Sequence, residues 1–329
     1  MKIYKSINEF RKGKKVIGTS GIFDGVHLGH LKIIGRVTGL AREEECESVL
    51  LTFHPHPRKV LFPSLDTRLL NTVEEKIARI ESTGIDHLII HPFTKPFSRM
   101  TPVEFVRDVI VNKLKIKKLI LGHNHHFGRN REGSFENLVK IAPLYRFHPE
   151  QVPPEKYKNS EISSSKIRKH VQDGNIALVN QLLGYRYTVA GLIIKGENRG
   201  ASLGFPTANL KITDEEKLIP AKGVYAVKVT LDETTFNGMM NIGSRPTFHG
   251  KGSTPLNPAK REIQPEKKTE NNIPEVNIFN FSGDIYDKTI RIMFVERLRD
   301  ETEFENSEAL QAQLIKDKEC AEKILNDTA

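Results

Sequence analysis

Short apolar runs alternate with amphipathic stretches over roughly the first half of the chain. The amphipathic stretches at residues 29–43, 73–82, 102–114 and 134–141 have helical periodicity, and Thr101 followed by Pro102 is typical of a helix start. Strands that alternate with helices pair in parallel through right-handed crossovers, so the pattern predicts a doubly wound α/β sheet. The predicted strands are VIGTSG (16–21), SVLLTF (48–53), HLIIHPF (87–93), KLILGH (118–123) and LYRFH (144–148).

The pattern changes after the Pro-rich segment PEQVPPEKYKNS and two predicted short helices at 164–172 and 175–183. From Tyr187 onward, apolar runs separated by Gly, Pro, Asn and Asp predict an antiparallel β-barrel, and a final amphipathic helix begins near Ser307 as its expected cap. At 329 residues the chain is long for one hydrophobic core. We therefore expect two domains, 1–184 and 185–329. The predicted barrel strands are TVAGLIIKG, GVYAVKVT, FNGMMNIG, EVNIFNF and TIRIMFVERL.

The stretch GTSGIFDGVHLGH at 18–30 follows the first strand and leads into the first helix. Glycines let the backbone approach a ligand, and a helix N-terminus offers unpaired N–H groups and partial positive charge to an anion. His27 and His30, three positions apart, would lie on one side and donate hydrogen bonds to the same phosphate group. No Walker-type Gly-x-x-x-x-Gly-Lys-Ser/Thr occurs, so the pattern predicts a phosphate site outside the P-loop class.

A second phosphate-binding element is predicted at ISSSKIR, residues 162–168. Ser164 and Ser165 offer hydroxyl donors, and Arg168 offers a planar cation suited to phosphate. Taken alone, the same residues are also typical of a capped helix start. Their combination with His-x-Gly-His favours the phosphate interpretation.

Composition narrows the classes of partner and compartment. The formal net charge of +9 favours anionic partners, but no cluster of aromatic and basic residues resembles an RNA-binding motif, so we expect no nucleic acid. Cys46 and Cys320 are the two cysteines, and they form no Cys-x-x-Cys pair. No apolar run of membrane-spanning or signal-peptide length is present, so we expect a cytoplasmic protein with no membrane partner.

These motifs, in this order, resemble the bacterial bifunctional riboflavin kinase/FMN adenylyltransferase (FAD synthetase) family. The resemblance implies a nucleotidylyltransferase domain and a β-barrel kinase domain. It also implies two reactions, phosphorylation of riboflavin to FMN and adenylylation of FMN to FAD, with ATP and flavin as substrates and Mg²⁺ as cofactor. The motifs that carry it are GIFDGVHLGH, TFHPHP, LGHNHHFGRNREG and ISSSKIR, then LGFPTANL, KGVYAVKV, MNIGSRPTF, EVNIFNFSGDIYDKTI and ERLRDETEF.

For the adenylylation domain, the resemblance places His27 and His30 on the phosphates and Asn124 in the nucleotide pocket. Asp24 would orient the turn or a magnesium-bound water, and a purely turn-forming role is equally compatible with its position. The full set of nucleotide- and phosphate-binding residues implied there is Gly21, Phe23, Asp24, His27, Gly29, His30, Asn124, Ser164, Ser165 and Arg168.

For the kinase domain, Thr207 and Asn209 of PTAN would share one face of an extended segment and bring a hydroxyl and an amide oxygen to Mg²⁺. The resemblance implies that Glu275 is the general base for the ribityl hydroxyl and that Gly204 contributes to nucleotide binding.

Several positions depart from the family pattern. His54 replaces an acidic residue in TFHPHP, and His125 and His126 stand where an aromatic and a basic or hydroxyl residue are common. In the kinase motifs Ala201 replaces an arginine, for which Arg199 is a candidate substitute, and Asp287 replaces a glycine. A polar excursion at 249–274 is longer than the family hairpin.

These departures leave open an enzyme that retains only one of the two activities. A nucleic-acid-binding regulator is the alternative from another class. A class I aminoacyl-tRNA synthetase ranks last, because the Lys-Met-Ser-Lys-Ser loop is missing.

Overall fold

A computed structural model describes residues 1–11, 15–196, 200, 203–243 and 274–327. It divides into two compact units. The predicted Arg199 and Ala201 and the excursion at 249–274, apart from Pro274, lie outside the described residues. The first unit comprises Met1–Lys169, Gln181–Tyr185 and Glu216–Leu218, and the second comprises His170–Asn180, Arg186–Glu215 and Ile219–Ala329.

The first unit is built on a six-stranded parallel sheet. Its strands are β1 (Lys2–Tyr4), β2 (Val16–Ser20), β3 (Glu47–His54), β4 (His87–Pro92), β5 (Ile116–Gly122) and β6 (His148–Val152), in the spatial order β1-β4-β3-β2-β5-β6. The helices are α1 (Leu28–Glu43), α2 (Pro57–Leu61), α3 (Val73–Glu81), α4 (Lys95–Ser98), α5 (Pro102–Glu104) with the π-helix Phe105–Lys113, and α6 (Phe135–Tyr145). A two-stranded hairpin, β7 (Lys156–Tyr157) and β8 (Ser160–Glu161), leads to α7 (Ser164–Gln172) and α8 (Ile176–Leu183), of which His170–Asn180 belong to the second unit.

Alternate residues of the strands enter separate hydrophobic cores on the two faces of the sheet. Val16 of β2 packs with the π-helix and α6, whereas Ile17 packs with α1 and α3. All five residues of β2 are buried, as expected for the centre of a sheet covered on both faces. The predicted doubly wound α/β fold is therefore confirmed.

One predicted strand of this unit is wrong. The apolar Leu144 and Tyr145 belong to the end of α6, and the last strand begins only at His148. Arg146 has a left-handed conformation with φ 53°, which ends the helix before the chain enters β6. The prediction at 144–148 failed because a short apolar run cannot distinguish a strand from the last turn of a helix.

The second unit contains a closed antiparallel barrel and a C-terminal helix, which confirms the predicted β-rich architecture. Its strands are β9 (Thr188–Ile194), β10 (Ala208–Ile212), β11 (Gly223–Leu231), β12 (Thr234–Ile242), β13 (Glu275–Ile278) and β14 (Thr289–Arg299), in the closed order β10-β13-β12-β11-β14-β9.

The last helix, α9 (Ser307–Asp327), packs on the barrel through Ala321 and Leu325. Its cap differs from the prediction. Ser307 is already the first helical residue, and the Oδ1 atom of Asn306 accepts a hydrogen bond from the Ala309 N–H at 2.8 Å. Within the described ranges, none of the helices has the length and apolarity needed to cross a membrane.

Candidate functional site

The strand order reverses direction beside β2. Successive strands β2, β3 and β4 run to one side, and β5 then lies on the other side of β2. Ligands of doubly wound sheets bind at such a switch point, outside the carboxyl ends of the strands. A cavity of about 240 Å³ lies there, lined by Ser20 and Gly21 at the end of β2 and by Gly122 and His123 at the end of β5.

The two predicted histidines lie together at this cavity. His27 is the N-cap of α1, and its Nδ1 atom accepts a hydrogen bond from the His30 N–H at 3.3 Å. The rings stack with 3.7 Å between centroids and 17° between planes, and Phe23 packs edge-on against His30 at 5.1 Å. Because Nδ1 of His27 is an acceptor, its neutral ring carries the proton on Nε2.

Burial keeps both imidazoles uncharged. It lowers the pKa of His27 to about 4, against the opposing effect of the Asp24 carboxylate. Burial, the neighbouring His27 and the Lys76 ammonium hold the pKa of His30 well below its ordinary value. At neutral pH the pair therefore offers neutral N–H donors rather than cations.

Asp24 lies beneath the glycine-rich turn, 3% exposed. Its carboxylate accepts hydrogen bonds from the backbone N–H of Leu70 at 3.0 Å and of Asn71 at 3.3 Å. The Nη2 atom of Arg168 donates to the same carboxylate at 2.6 Å. The turn is thus tied to the 69–71 loop and to α7 through one buried side chain.

The ISSSKIR element contributes unequally to the cavity. Ser164 lines it and donates its hydroxyl to the Asp24 carbonyl oxygen at 2.9 Å. Ser165 is exposed on α7, and Arg168 lies beside Asp24, so neither residue lines the cavity. Of the predicted residues, the structure brings Gly21, Phe23, His27, Gly29, His30, Asn124 and Ser164 to the cavity wall, but not Asp24, Ser165 or Arg168.

Sequence reasoning missed other residues of this wall. Ser163 lines the cavity beside Ser164, and Glu161 lies close to Asn124, whose Nδ2 atom donates to the Glu161 carboxylate at 3.4 Å. Ser163 was within the motif, but no local pattern indicates which of the three serines faces the cavity. Lys76, which does not line the cavity itself, was also missed. Its ammonium donates to the Ile22 carbonyl at 2.9 Å, and burial lowers its pKa.

A second group of predicted residues meets in the barrel. Asn209 of β10 pairs in register with Glu275 at the start of β13, and the Thr207 hydroxyl donates to Glu275 Oε2 at 3.4 Å. Asn209 is 9% exposed. Gly204 precedes this group with φ 82°, a conformation that favours glycine. The structure thus brings Thr207, Asn209 and Glu275 together in the barrel.

An α/β unit with a histidine-lined cavity at a helix N-terminus, together with a barrel that brings Thr207, Asn209 and Glu275 together, fits a two-module enzyme of phosphoryl and nucleotidyl transfer. A family model described as FAD synthetase matches residues 10–166, and one described as riboflavin kinase matches residues 183–325. The chain belongs to the bifunctional riboflavin kinase/FMN adenylyltransferase family.

Similar proteins support this family membership over nearly the full length of the chain. The bifunctional riboflavin kinase/FMN adenylyltransferase of Bacillus subtilis is 33% identical over 93% of this chain and 92% of its own. The enzyme of the same name from Listeria monocytogenes is 34% identical over 91% of this chain and 89% of its own. A crystal structure described as a macrolide-efflux protein from Streptococcus pneumoniae has a TM-score of 0.84 at 27% identity, covering 97% of this chain and 98% of that one.

The chain accordingly phosphorylates riboflavin to FMN with ATP and adenylylates FMN to FAD with release of pyrophosphate. Its substrates are the small molecules ATP, riboflavin and FMN.

Proposed function

We propose that FMN adenylylation takes place in the cavity at the N-terminus of α1 and that riboflavin phosphorylation takes place at Thr207, Asn209 and Glu275. The observation that supports the first assignment best is the stacked pair His27 and His30 at the cavity wall. In domain terms, residues 1–184 carry adenylylation and residues 185–329 carry the kinase reaction.

In the adenylylation reaction, an oxygen of the FMN phosphate attacks the α-phosphorus of ATP in line, and pyrophosphate leaves. Negative charge on the transferred phosphoryl oxygens is stabilised by donors already fixed in place. His27 supplies its Nε2–H, and the N-terminus of α1 supplies backbone N–H groups. Gly29 is suited to close approach of phosphate, since a side chain there would press on the His27 ring.

His30 and Arg168 have donor or acceptor capacity that the protein leaves unused. Among the described residues, the buried Nδ1 of His30 and the buried Nε of Arg168 have no hydrogen-bond partner. Buried polar atoms are seldom left unsatisfied, so the Nδ1 of His30, a residue of the cavity wall, is a candidate for ligand contact. We propose that His30 acts on the triphosphate from the cavity wall. Arg168 acts on it through Asp24, whose turn it holds in place. Asn124 and Ser164, both at the cavity wall, complete the proposed nucleotide contacts.

In the kinase reaction, the ribityl hydroxyl attacks the γ-phosphorus of ATP and ADP leaves. Glu275 is the proposed general base that accepts the hydroxyl proton. Thr207 and Asn209 are the proposed ligands of Mg²⁺. A hydroxyl and an amide oxygen near a carboxylate fit this hard cation, which prefers oxygen donors and shares its coordination with substrate phosphates. Bound there, Mg²⁺ would neutralise charge on the phosphates of ATP.

The remaining expectations concern partners and compartment. We propose that the basic charge serves phosphorylated substrates and that nucleic acid is not a partner. We also propose a reducing, cytoplasmic setting, for which the support is that Cys46 and Cys320 are both free thiols.

Two substitutions test the separation of the sites. His30→Ala should stop FAD formation from FMN and leave FMN formation from riboflavin, because only the first uses the α1 cavity. Glu275→Ala should stop FMN formation and leave FAD formation when FMN is supplied. Flavins are resolved by chromatography after incubation with ATP and Mg²⁺.

The exposed His148→Ala and Glu296→Ala are the matched controls, and both should retain both activities. Loss of both reactions from either His30→Ala or Glu275→Ala would contradict independent sites.

A further inference from the structure

A short segment from the second half of the sequence, Glu216–Leu218, belongs to the first unit. We call it the anchor segment. It pairs in parallel with Leu69, whose N–H donates to the Glu216 carbonyl at 2.7 Å and whose carbonyl accepts from the Leu218 N–H at 2.8 Å. The anchor segment therefore fixes the backbone at the start of the 69–71 loop.

Lys217 continues this contact into the interior. It is 3% exposed, and its ammonium donates to the Leu70 carbonyl at 2.7 Å and to Glu75 Oε2 at 2.5 Å. A buried ammonium that donates to both a carbonyl oxygen and a carboxylate is held in one position. Loss of the ammonium would leave these two acceptors without their donor.

The loop that Lys217 holds is the loop that holds Asp24. The Leu70 carbonyl faces Lys217, and the N–H groups of Leu70 and Asn71 face the Asp24 carboxylate. Asp24 in turn accepts from Arg168 through its side chain and from Ser164 through its backbone carbonyl. Hydrogen bonds thus connect Lys217, through the 69–71 loop, to the Asp24 turn and to the start of α7.

We propose that Lys217 is a positioning residue for FMN adenylylation, although it lies in the part of the sequence assigned to the kinase. It acts by fixing the 69–71 loop, and through that loop the Asp24 turn and the start of α7. The inference rests on the proposed location of adenylylation at the α1 cavity.

Lys217→Met tests it in the full chain with both reactions measured separately. The KM for ATP in FAD formation should rise roughly tenfold, because small misplacements of binding groups weaken productive alignment. FMN formation from riboflavin should stay unchanged. The control is Lys59→Met, which removes the partly exposed Lys59–Glu216 ion pair of the same anchor segment and should leave both reactions intact.

The KM distinguishes positioning from general damage. A fraction of unfolded protein lowers the measured rate but leaves the KM of the folded remainder unaltered. An unchanged ATP KM in Lys217→Met, or an equal loss of both activities, would overturn the inference.

If Lys217→Met does not fold, Lys217→Gln is measured in the same way, since it keeps a donor for the Leu70 carbonyl but loses the ion pair with Glu75. The same two results would overturn the inference in that variant. The proposed function is tested independently by His30→Ala, which should stop FAD formation whatever Lys217 variants do.

Discussion

At the scale of single residues, burial decides what the two imidazoles can do. His27 and His30 stack because the N-cap geometry of α1 turns the first ring back over the helix start. Two protonated rings at this separation would repel each other, and burial would leave both charges poorly solvated. The arrangement therefore suits neutral donors. The sequence predicted both histidines on one side of the helix. It could not predict the stacking or their lowered pKa values, since both depend on burial beneath other segments.

The first prediction concerns stability against pH. His27 has a pKa of about 4 in the folded protein and 6.5 as its ordinary value, so the unfolded chain binds more protons between these values. The stabilising contribution of neutral His27 is therefore complete above pH 6.5, the ordinary pKa. It is lost as the pH falls from there towards the folded-state pKa of about 4. Between about pH 7 and about pH 5 this loss is about 2 kcal/mol.

Urea unfolding at those two pH values measures it. His27→Asn should lose less stability on acidification than the unmodified protein, and the exposed His148→Asn should behave like the unmodified protein. Equal pH responses for His27→Asn and the unmodified protein would show that His27 is not the titrating group.

The second prediction concerns Asp24. Asp24→Asn removes the charge that Arg168 pairs with in a buried position, where breaking an ion pair is costly. Thermal or urea unfolding should show a loss of roughly 3 kcal/mol, and FAD formation should fall while FMN formation persists.

Asp66→Asn is the matched control, because it breaks an exposed pair with Arg68 and should change stability by less than about 0.5 kcal/mol. An Asp24→Asn protein as stable as this control would contradict the assigned role of the buried pair.

At the scale of elements, the sequence predicted helix starts that depend on neighbouring residues. It did not predict features that depend on tertiary contacts. Thr101 and Pro102 start α5 as predicted, with a capping box between Thr101 and Glu104. The start of α9 was displaced by one residue, because Asn306 and Ser307 are both good caps and the sequence does not rank them. The three-residue β1 was not predicted, since a strand this short with exposed side chains has no period to detect.

The third prediction concerns the first turn of α1. A Cβ atom on Gly29 would lie 3.2 Å from two atoms of the His27 ring, which would have to shift by a few tenths of an ångström and so disturb its stacking on His30. Gly29→Ala should therefore reduce FAD formation roughly tenfold and leave FMN formation unchanged.

Gly35→Ala on the same helix is the control, since nothing lies within 4 Å of its added Cβ. It should keep both activities and stabilise the protein by about 0.5–1 kcal/mol through helix propensity. Equal effects of the two substitutions on FAD formation would count against a functional stack.

At the scale of the whole molecule, the fold class followed from periodicity because alternation of strand and helix restricts topology strongly. The boundary at 184/185 stays a prediction. No local pattern could reveal that Glu216–Leu218 joins the first unit, since its partner Leu69 is distant in sequence and the contact uses backbone groups. Such contacts depend on the assembled fold.

The fourth prediction concerns the net charge of +9. Any binding to RNA should be non-specific, weaker than roughly 10⁻⁶ M at physiological salt, and should weaken further as salt is added. Fluorescence anisotropy with a labelled RNA at two salt concentrations measures it. Tight RNA binding by a protein that shows no flavin turnover would favour the nucleic-acid-binding alternative.

The strand arrangement also bears on how the protein behaves when concentrated. The outermost strands of the parallel sheet are β1, with three residues, and β6, where Pro149 lacks an N–H to donate. Within the described part of the chain, the barrel is closed and therefore adds no long free strand edge. Intermolecular β-pairing, the first step of amyloid growth, therefore finds little template on the folded protein.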